Sequence, residues 1–420
     1  MERKSLTAAV SSERIQQDMA TLACIGADGQ GGVTRLAYSP EHWKARAYIR
    51  DRMESAGLQV REDAAGNVMG RWPVGLTGPA LAMGSHLDSV PHGGRFDGPV
   101  GVVCALEAVR AIQESGFRPP SPLEVIVFAE EEGARLNHPL FGSKAMAGIL
   151  DPRLLEQMKD RDGVPLARVL EGVGLSQERL SEARRQREEF LAYLEVHIEQ
   201  GSVLEERNVQ IGVVTGIVGI TFMEMVITGR ADHAGPNPME RRKDALLGAG
   251  RIITEIPVLV AQTGSAAARG TVGAIHAHPN TINVVPGRVT LGVDVRHKEK
   301  EEIRKLARLI DLKAGDICQK SGLEFLSRVL TEIEPVAMAN NIVQAIGETC
   351  EEMDITCMQM LSGAGHDTTS MSTLAPVGMI FVPSVEGLSH CPEEFTPLED
   401  IVCGARVLAG TAAGLINNFT

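Results

Sequence analysis

The chain has 420 residues, of which 44% are hydrophobic and 23% charged, and its formal net charge is −13. That length exceeds the roughly 250–300 residues at which a single core stops growing, so two domains are expected. The acidic balance argues against nucleic acid as a partner, while a local cation could still bind a small anionic substrate. Seven cysteines, odd in number, scattered and without a C-x-x-C pair, argue against a disulfide framework or a thiolate zinc site and fit a reducing, cytoplasmic compartment. Met1 to Gln17 has no apolar core of signal-peptide length. No run approaches the ~18 apolar residues of a membrane span, so no membrane partner is expected.

Residues 41–57 read as an amphipathic helix closed by Gly57, with Trp43, Ala47, Ile49 and Met53 toward a core. Four apolar runs then read as buried strands, each followed at once by polar residues: Ala80–Gly84, Leu123–Ala129, Leu191–Val196 and Val377–Val382. Val100–Glu114, between the first two, reads as a helix. Strands alternating with helices predict an α/β sheet covered on both faces. Ligands bind beyond the carboxyl ends of such strands, where these polar clusters fall. Residues 151–190 are charged and helix-prone, without a site signal. From Ile211 the texture changes. Val213–Gly229 is rich in β-branched residues and glycine, Arg241–Ile253 looks helical, Gly270–Val295 returns to strands and Glu301–Ser321 is helical. This β-α-β-β-α order predicts a small sheet domain with helices on one face, inserted into the first domain, to which the chain returns near Glu332–Pro335. The expected division is 1–211 with 330–420, and 212–329.

The polar clusters carry the chemistry. In a strand, i and i+2 point the same way, so His86 and Asp88 share a side, and a ligand histidine commonly donates its other ring N–H to such a carboxylate. Glycines around Asp97 let the backbone bend close to a site. Three acids at 130–132, directly after an apolar strand, are costly in a sheet interior unless a cation offsets them. His197 and His390 are both read as following apolar runs directly. A lone histidine at a strand end is more often a hydrogen-bonded loop residue, and His42, His92 and His138 are read that way. What distinguishes the others is that four strands deliver His, Asp or Glu to one sheet edge.

Eight segments, in order, resemble a known family: Gly84–Gly101, Ala129–Gly133, His197-Ile-Glu-Gln-Gly201, His233-Ala-Gly, Thr281–Gly287, Asp294-Val-Arg296, Ser362–Asp367, and Met379–Ser384 with Ser389-His390. They are similar to the hydantoinase/carbamoylase branch of the M20 metallopeptidase superfamily, which holds N-carbamoyl-L-amino acid hydrolases, allantoate amidohydrolases and β-ureidopropionases. The resemblance runs from about Gly31 to the C-terminus. It implies a zinc-exopeptidase-like α/β/α catalytic domain with an inserted α+β, ferredoxin-like domain that serves as lid and dimerisation surface.

The resemblance also implies two divalent metal ions per chain. Asp97 would bridge them, with His86 and His197 completing one site and Glu132 and His390 the other. Mixed N/O ligands suit zinc or manganese first, then cobalt or nickel. Glu131 would be the general base. His233 would steady the oxyanion, and Arg296 would bind a substrate carboxylate through its planar fork; the alternative for Arg296 is a surface ion pair with Asp294. Gln200 and Asn283 would hydrogen-bond substrate, and Gly365 would present backbone to it. The expected substrate is a small carboxylate-bearing molecule bridging the two domains, cleaved at a ureido C–N bond. An N-carbamoyl-L-amino acid is the first expectation, then allantoate, then a β-ureido acid, a dipeptide or an N-acyl amino acid. Peptidase members of the superfamily often carry an acidic ligand where this chain has His197. A homodimer through the inserted domain is expected. The sequence departs from the family at Pro236-Asn-Pro-Met, where Thr-Thr-Pro-Met or Ala-Thr-Pro-Met is usual. Proline there changes the turn beside His233 by fixing φ and removing an N–H.

Overall fold

The apolar runs form the central strands of a mixed sheet in the computed structural model, which describes residues 9–418. Its order is β1 (Gln59–Glu62), β2 (Val68–Trp72), β4 (Leu123–Phe128), β3 (Ala80–His86), β5 (Phe190–Ile198), β15 (Val377–Val382), β6 (Ile211–Ile217) and β13 (Val336–Ala337), with β14 (Cys357–Ser362) beside β6. Neighbours β4, β3, β5 and β15 run parallel, and antiparallel pairings occupy the flanks. Every residue of β3, β4 and β15 is buried, which is why these strands are mostly apolar rather than alternating; the one buried acid in β4, Glu124, is paired with Arg185.

The helix Pro99–Glu114 is buried from Pro99 to Ile112, as expected for a mostly apolar helix, and its two buried charges, Glu107 and Arg110, are paired with Arg14 and Asp18. It shares one core with Ser12–Cys24, Pro40–Ser55, Asn340–Glu352 and Leu398–Asn418. Pro40–Ser55 starts with proline in its first turn, and the Ser39 side chain accepts the His42 N–H. Its core face carries Ala45, Ile49 and Met53; Ala47 is exposed and Trp43 lies under the Arg46 guanidinium, 3.7 Å from its centroid. The 151–190 segment folds into short pieces, Pro152–Gln157 and Leu166–Glu171 with 3-10 turns, because Pro152, Gly163, Pro165 and Gly174 interrupt any long helix.

His42 is a buried helix residue rather than a loop one. Its Nδ1 accepts the Tyr38 N–H and its Nε2 has no hydrogen-bond partner. Burial, then the Arg46 charge, hold it well below the usual histidine range. The unfolded chain therefore takes up a proton near pH 6.5 that the folded chain refuses. Stability is lost as pH falls below that value, by up to about 1.4 kcal/mol per pH unit for this group. His42→Asn keeps a polar side chain at this position without the titration. Denaturant melts between pH 7 and 5 should show wild type losing stability more steeply than the variant; parallel profiles would remove His42 from the linkage.

The chain divides at Thr215/Gly216 and Ala337/Met338, a few residues beyond the predicted 211/212 and 329/330. The first shift arises because Ile211–Ile217 still pairs with β15. The second arises because β12 (Glu324–Ile333), absent from the predicted order, is paired along β7 (Gly219–Thr228). The insertion is thus a βαββαβ unit with strand order β12-β7-β11-β9, where β9 is Arg269–His278 and β11 is Arg288–His297. This is the ferredoxin-like pattern. Its core joins Met225, Ile227, Leu291 and Val293 to the helices Ala245–Gln262 and Lys300–Lys320. The first of these helices corrects the reading of apolar runs: over 18 residues its mean hydropathy is 1.3, enough by length and composition to cross a membrane. It carries Arg251 and Glu255 and packs Ala249, Ile252 and Ile256 into the insertion's core.

Candidate metal centre

Because β4, β3, β5 and β15 are parallel neighbours, their carboxyl ends share one edge. His86 ends β3, Glu130-Glu131-Glu132 follow β4, His197 is next to last in β5, and the loop after β15 reaches His390. Asp97 comes from the loop after β3, where Gly98 is held at φ +78° against the His86 ring, which a Cβ there would overlap.

Asp97 lies at the centre. Its Oδ1 is 3.3 Å from His86 Nε2 and 3.2 Å from His197 Nε2. Its Oδ2 is 3.3 Å from His390 Nε2, which is also 3.4 Å from a Glu132 oxygen. Among the described residues three groups could hold a metal ion, His86–Asp97–His197, Asp97–Glu132–His390 and Glu195–His197–His366; the first two share Asp97. Glu131 places an oxygen 3.7 Å from His86 Nε2.

Ring polarity tests whether a cation suits this geometry. His86 Nδ1 lies 3.0 Å from the Asp88 carbonyl and His197 Nδ1 lies 2.9 Å from the Ile198 carbonyl. A carbonyl only accepts, so both Nδ1 atoms carry the proton, and in the neutral ring both Nε2 lone pairs point at Asp97 Oδ1. Lone pairs facing a carboxylate oxygen repel unless a cation lies between them or the rings are charged. In addition, Glu132 Oε1 is buried without a hydrogen-bond partner. The donor set therefore fits divalent ions in both groups.

Without ions, protons take their part. Burial works against charge on His86, yet Glu131, Asp97 and Asp88 together hold it well above the usual range. The Asp97 hydrogen bond raises His390 to about 9. Burial, reinforced by Asp97, raises Glu132 to about 8. Burial also raises Glu131 well above an ordinary carboxylic acid, and Asp97, against its burial, is held well below by the three histidines.

One expected contact is different. The Asp88 carboxylate is 3.8 Å from His86 Nδ1 and instead accepts the N–H groups of Glu131 and Glu132 at 3.2 and 3.1 Å. The turn after β4 brings two backbone donors to it, and two such bonds outweigh one to a ring already served by a carbonyl. Asp88 thus fixes the loop bearing Glu131 and Glu132.

Gln200, at φ +57°, donates from Nε2 to Asp97 Oδ2 at 2.6 Å. Gly365 is half-buried, with open space where a Cβ would stand. His366 is buried, bonded through Nε2 to Ser362 Oγ at 2.9 Å, with its ring 4.4 Å from that of His197. In the insertion, the exposed His233 belongs to β8 (Asp232–His233), which pairs with β10 (Val284–Val285). Its Nδ1 accepts the Gly235 N–H at 3.0 Å, so Nε2 carries the proton of the neutral ring. Asn283 is adjacent, its carbonyl accepting the Ala234 N–H. Arg296 makes the ion pair with Asp294, at 2.8 Å. The structure does not bring it to His233 and Asn283. These two lie toward the Arg288 end of β11, and the eight residues from there to Arg296 span ~26 Å at ~3.3 Å per residue.

Sequence reading missed Glu195, an acid inside an apolar strand that accepts hydroxyls from Ser85 and Thr368 and the Thr368 N–H. A charge within such a run was the available signal. It also missed Glu394, which no local pattern separates from its neighbour Glu393.

Residues 82–414 match peptidase family M20/M25/M40. The chain belongs to this family. Within it, the chain is 39% identical over 403 residues to the N-carbamoyl-L-amino acid amidohydrolase of Geobacillus stearothermophilus, covering 96% of this chain and 98% of the relative. It is 36% identical over 389 residues to the allantoate amidohydrolase of Bacillus subtilis, covering 92% and 93%; other relatives are named ureidoglycolate hydrolase. A solved amidase of the hydantoinase/carbamoylase family from Burkholderia multivorans superposes with a TM-score of 0.88 at 34% identity, covering 97% of this chain and 98% of that one. This M20 chain is accordingly a hydrolase of the hydantoinase/carbamoylase branch acting on C–N amide bonds.

Proposed function

We propose that the enzyme hydrolyses the ureido C–N bond of N-carbamoyl-L-amino acids, yielding the amino acid, ammonia and carbon dioxide. The observation that carries this is Asp97 presenting one oxygen to each ligand group, with Glu131 beside them. Two divalent ions held there, zinc or manganese with cobalt or nickel as substitutes, would lower the pKa of a shared water and polarise the ureido carbonyl. Glu131 takes the proton of the attacking water and passes it to the leaving nitrogen; adjacent cations would lower its proton affinity, and its burial acts in the opposite direction. His233 donates from Nε2 to the developing oxyanion. Gln200 and Asn283 hydrogen-bond the substrate amide or carboxylate, and Gly365 offers its backbone to the substrate.

Arg296, oriented by Asp294, holds the substrate carboxylate. Arg296→Ala should raise KM by about 10–100-fold with a smaller change in kcat, the size of a lost charged hydrogen-bonded contact. Lysine should restore part of this, lacking the planar fork. An unchanged KM in steady-state assays would leave Arg296 as a surface ion pair.

The span between Arg296 and the His233–Asn283 pair far exceeds a carbamoyl amino acid, so we place one of the two sets on a second copy of the chain. A homodimer through the insertion would also cover Leu246, Leu247 and Val258, which are exposed on its first helix. Sedimentation at assay concentration tests this. The seven free thiols accord with a cytoplasmic setting.

The second reading is allantoate hydrolysis, favoured by the named relative. Ammonia release from a panel of N-carbamoyl amino acids, allantoate and ureidoglycolate, with added zinc or manganese, separates them. Turnover of a carbamoyl amino acid supports the proposal, and turnover of allantoate alone replaces it.

A further inference from the structure

Glu394 has no part in the chemistry above, yet its carboxylate joins two ligand loops 297 residues apart. One oxygen accepts the N–H groups of Phe96 and Asp97 at 2.9 and 3.1 Å. The other accepts the Ser389 hydroxyl at 2.8 Å and the His390 N–H at 3.3 Å. The Ser389 hydroxyl also lies 3.1 Å from Asp97 Oδ2, the alternative acceptor for its single proton. Four donors on two oxygens use the full acceptor capacity of an ionised carboxylate. Space for it comes from Gly94, where any Cβ would overlap the Glu394 carboxyl group.

The base of this loop is closed by the Val385 N–H on the Phe395 carbonyl and the Thr396 hydroxyl on the Pro383 carbonyl, both at 2.9 Å, and Glu394 acts on its Ser389–His390 tip. His390 stands at φ +58°, a conformation unfavourable to a residue with a Cβ. Its side chain is 47% exposed, so packing does not orient it. By contrast, His86 and His197 lie on buried strands and are 1% exposed. The two halves of the centre are therefore supported differently, one by the sheet and one by a carboxylate.

We propose that Glu394 is a positioning residue that sets the Asp97–His390 separation and thereby governs binding of the ion in the Asp97–Glu132–His390 group, more than of the ion between His86 and His197. The inference rests on the two-ion reading above. Glu394→Gln preserves shape but replaces one oxygen with a donor, so one pair of bonds is lost while the other persists.

Titration of metal-free protein with Co²⁺, followed by visible absorption and by metal content per chain, tests this without an activity assay. Wild type should take up two Co²⁺ per chain. Glu394→Gln should bind the first as wild type does and the second at least ~10-fold more weakly, the usual effect of removing a group that orients a ligand. The unfolding temperature of the metal-free variant should stay within a few degrees of wild type. Ser389→Ala, which leaves the carboxylate intact, should shift the second constant the same way by less. Unchanged constants in both variants would overturn the proposal. So would an equal weakening of both ions accompanied by a collapse in metal-free stability, which marks a purely structural role. Fewer than two Co²⁺ on wild type would instead overturn the two-ion reading beneath it.

Discussion

Glu131→Gln is expected to lower kcat by about three orders of magnitude, within the range for removing a general acid–base group, while the protein keeps two ions per chain. The expectation follows from placement. Glu131 approaches His86 to 3.7 Å but belongs to neither ligand group, and its N–H is held by Asp88. Glutamine keeps the volume and the backbone bond and loses only the ability to receive a proton. KM should therefore change little, and the loss should appear in kcat and kcat/KM together. Steady-state assays paired with metal analysis on the same preparation check both halves. Turnover surviving within a few-fold of wild type would remove Glu131 from the proton path. Loss of an ion would make it a ligand.

Asp97→Ala is expected to weaken both ions by more than about 100-fold each. Removing a residue that only orients a ligand already costs 10–100-fold, and Asp97 supplies an oxygen to each group. The same change removes the charge that raises the facing histidines, so they titrate lower in the metal-free variant. The clearest readout is thermal. Wild type should gain unfolding temperature on addition of zinc or manganese, since an ion at 100 times its dissociation constant stabilises by about 2.7 kcal/mol. The variant should gain almost none. Calorimetry with and without chelator makes the comparison, and a metal-dependent shift equal to wild type's would displace Asp97 from the bridging position.

Much of this centre was legible in the sequence because strand burial writes a local signal. Continuous apolar runs marked β3, β4, β5 and β15, and the residues just beyond them were the polar ones that now face each other. The insertion was legible from its change of texture. Its limits were less so. Whether Ile211–Ile217 still pairs with β15, or β12 lies along β7, depends on partners far away in the chain. The orientation of Asp88 was misjudged for the same reason. Spacing put it beside His86, but the turn after β4 offered it two backbone donors.

By itself, then, the sequence determined what needs only neighbours along the chain: strand and helix periods, the acidic balance, and the supply of His, Asp and Glu after apolar runs, with eight ordered motifs that assign the family. The tertiary structure alone decided which of those groups meet. It placed Asp97 between two histidine groups with one oxygen to each, set Arg296 a strand's length from His233 and Asn283, and brought Glu394 to the backbone of Asp97 and His390. Each of these depends on strand order and loop closure across tens to hundreds of residues. Hydrogen bonds and coordination act over about 3 Å, a range on which separation along the chain carries no information.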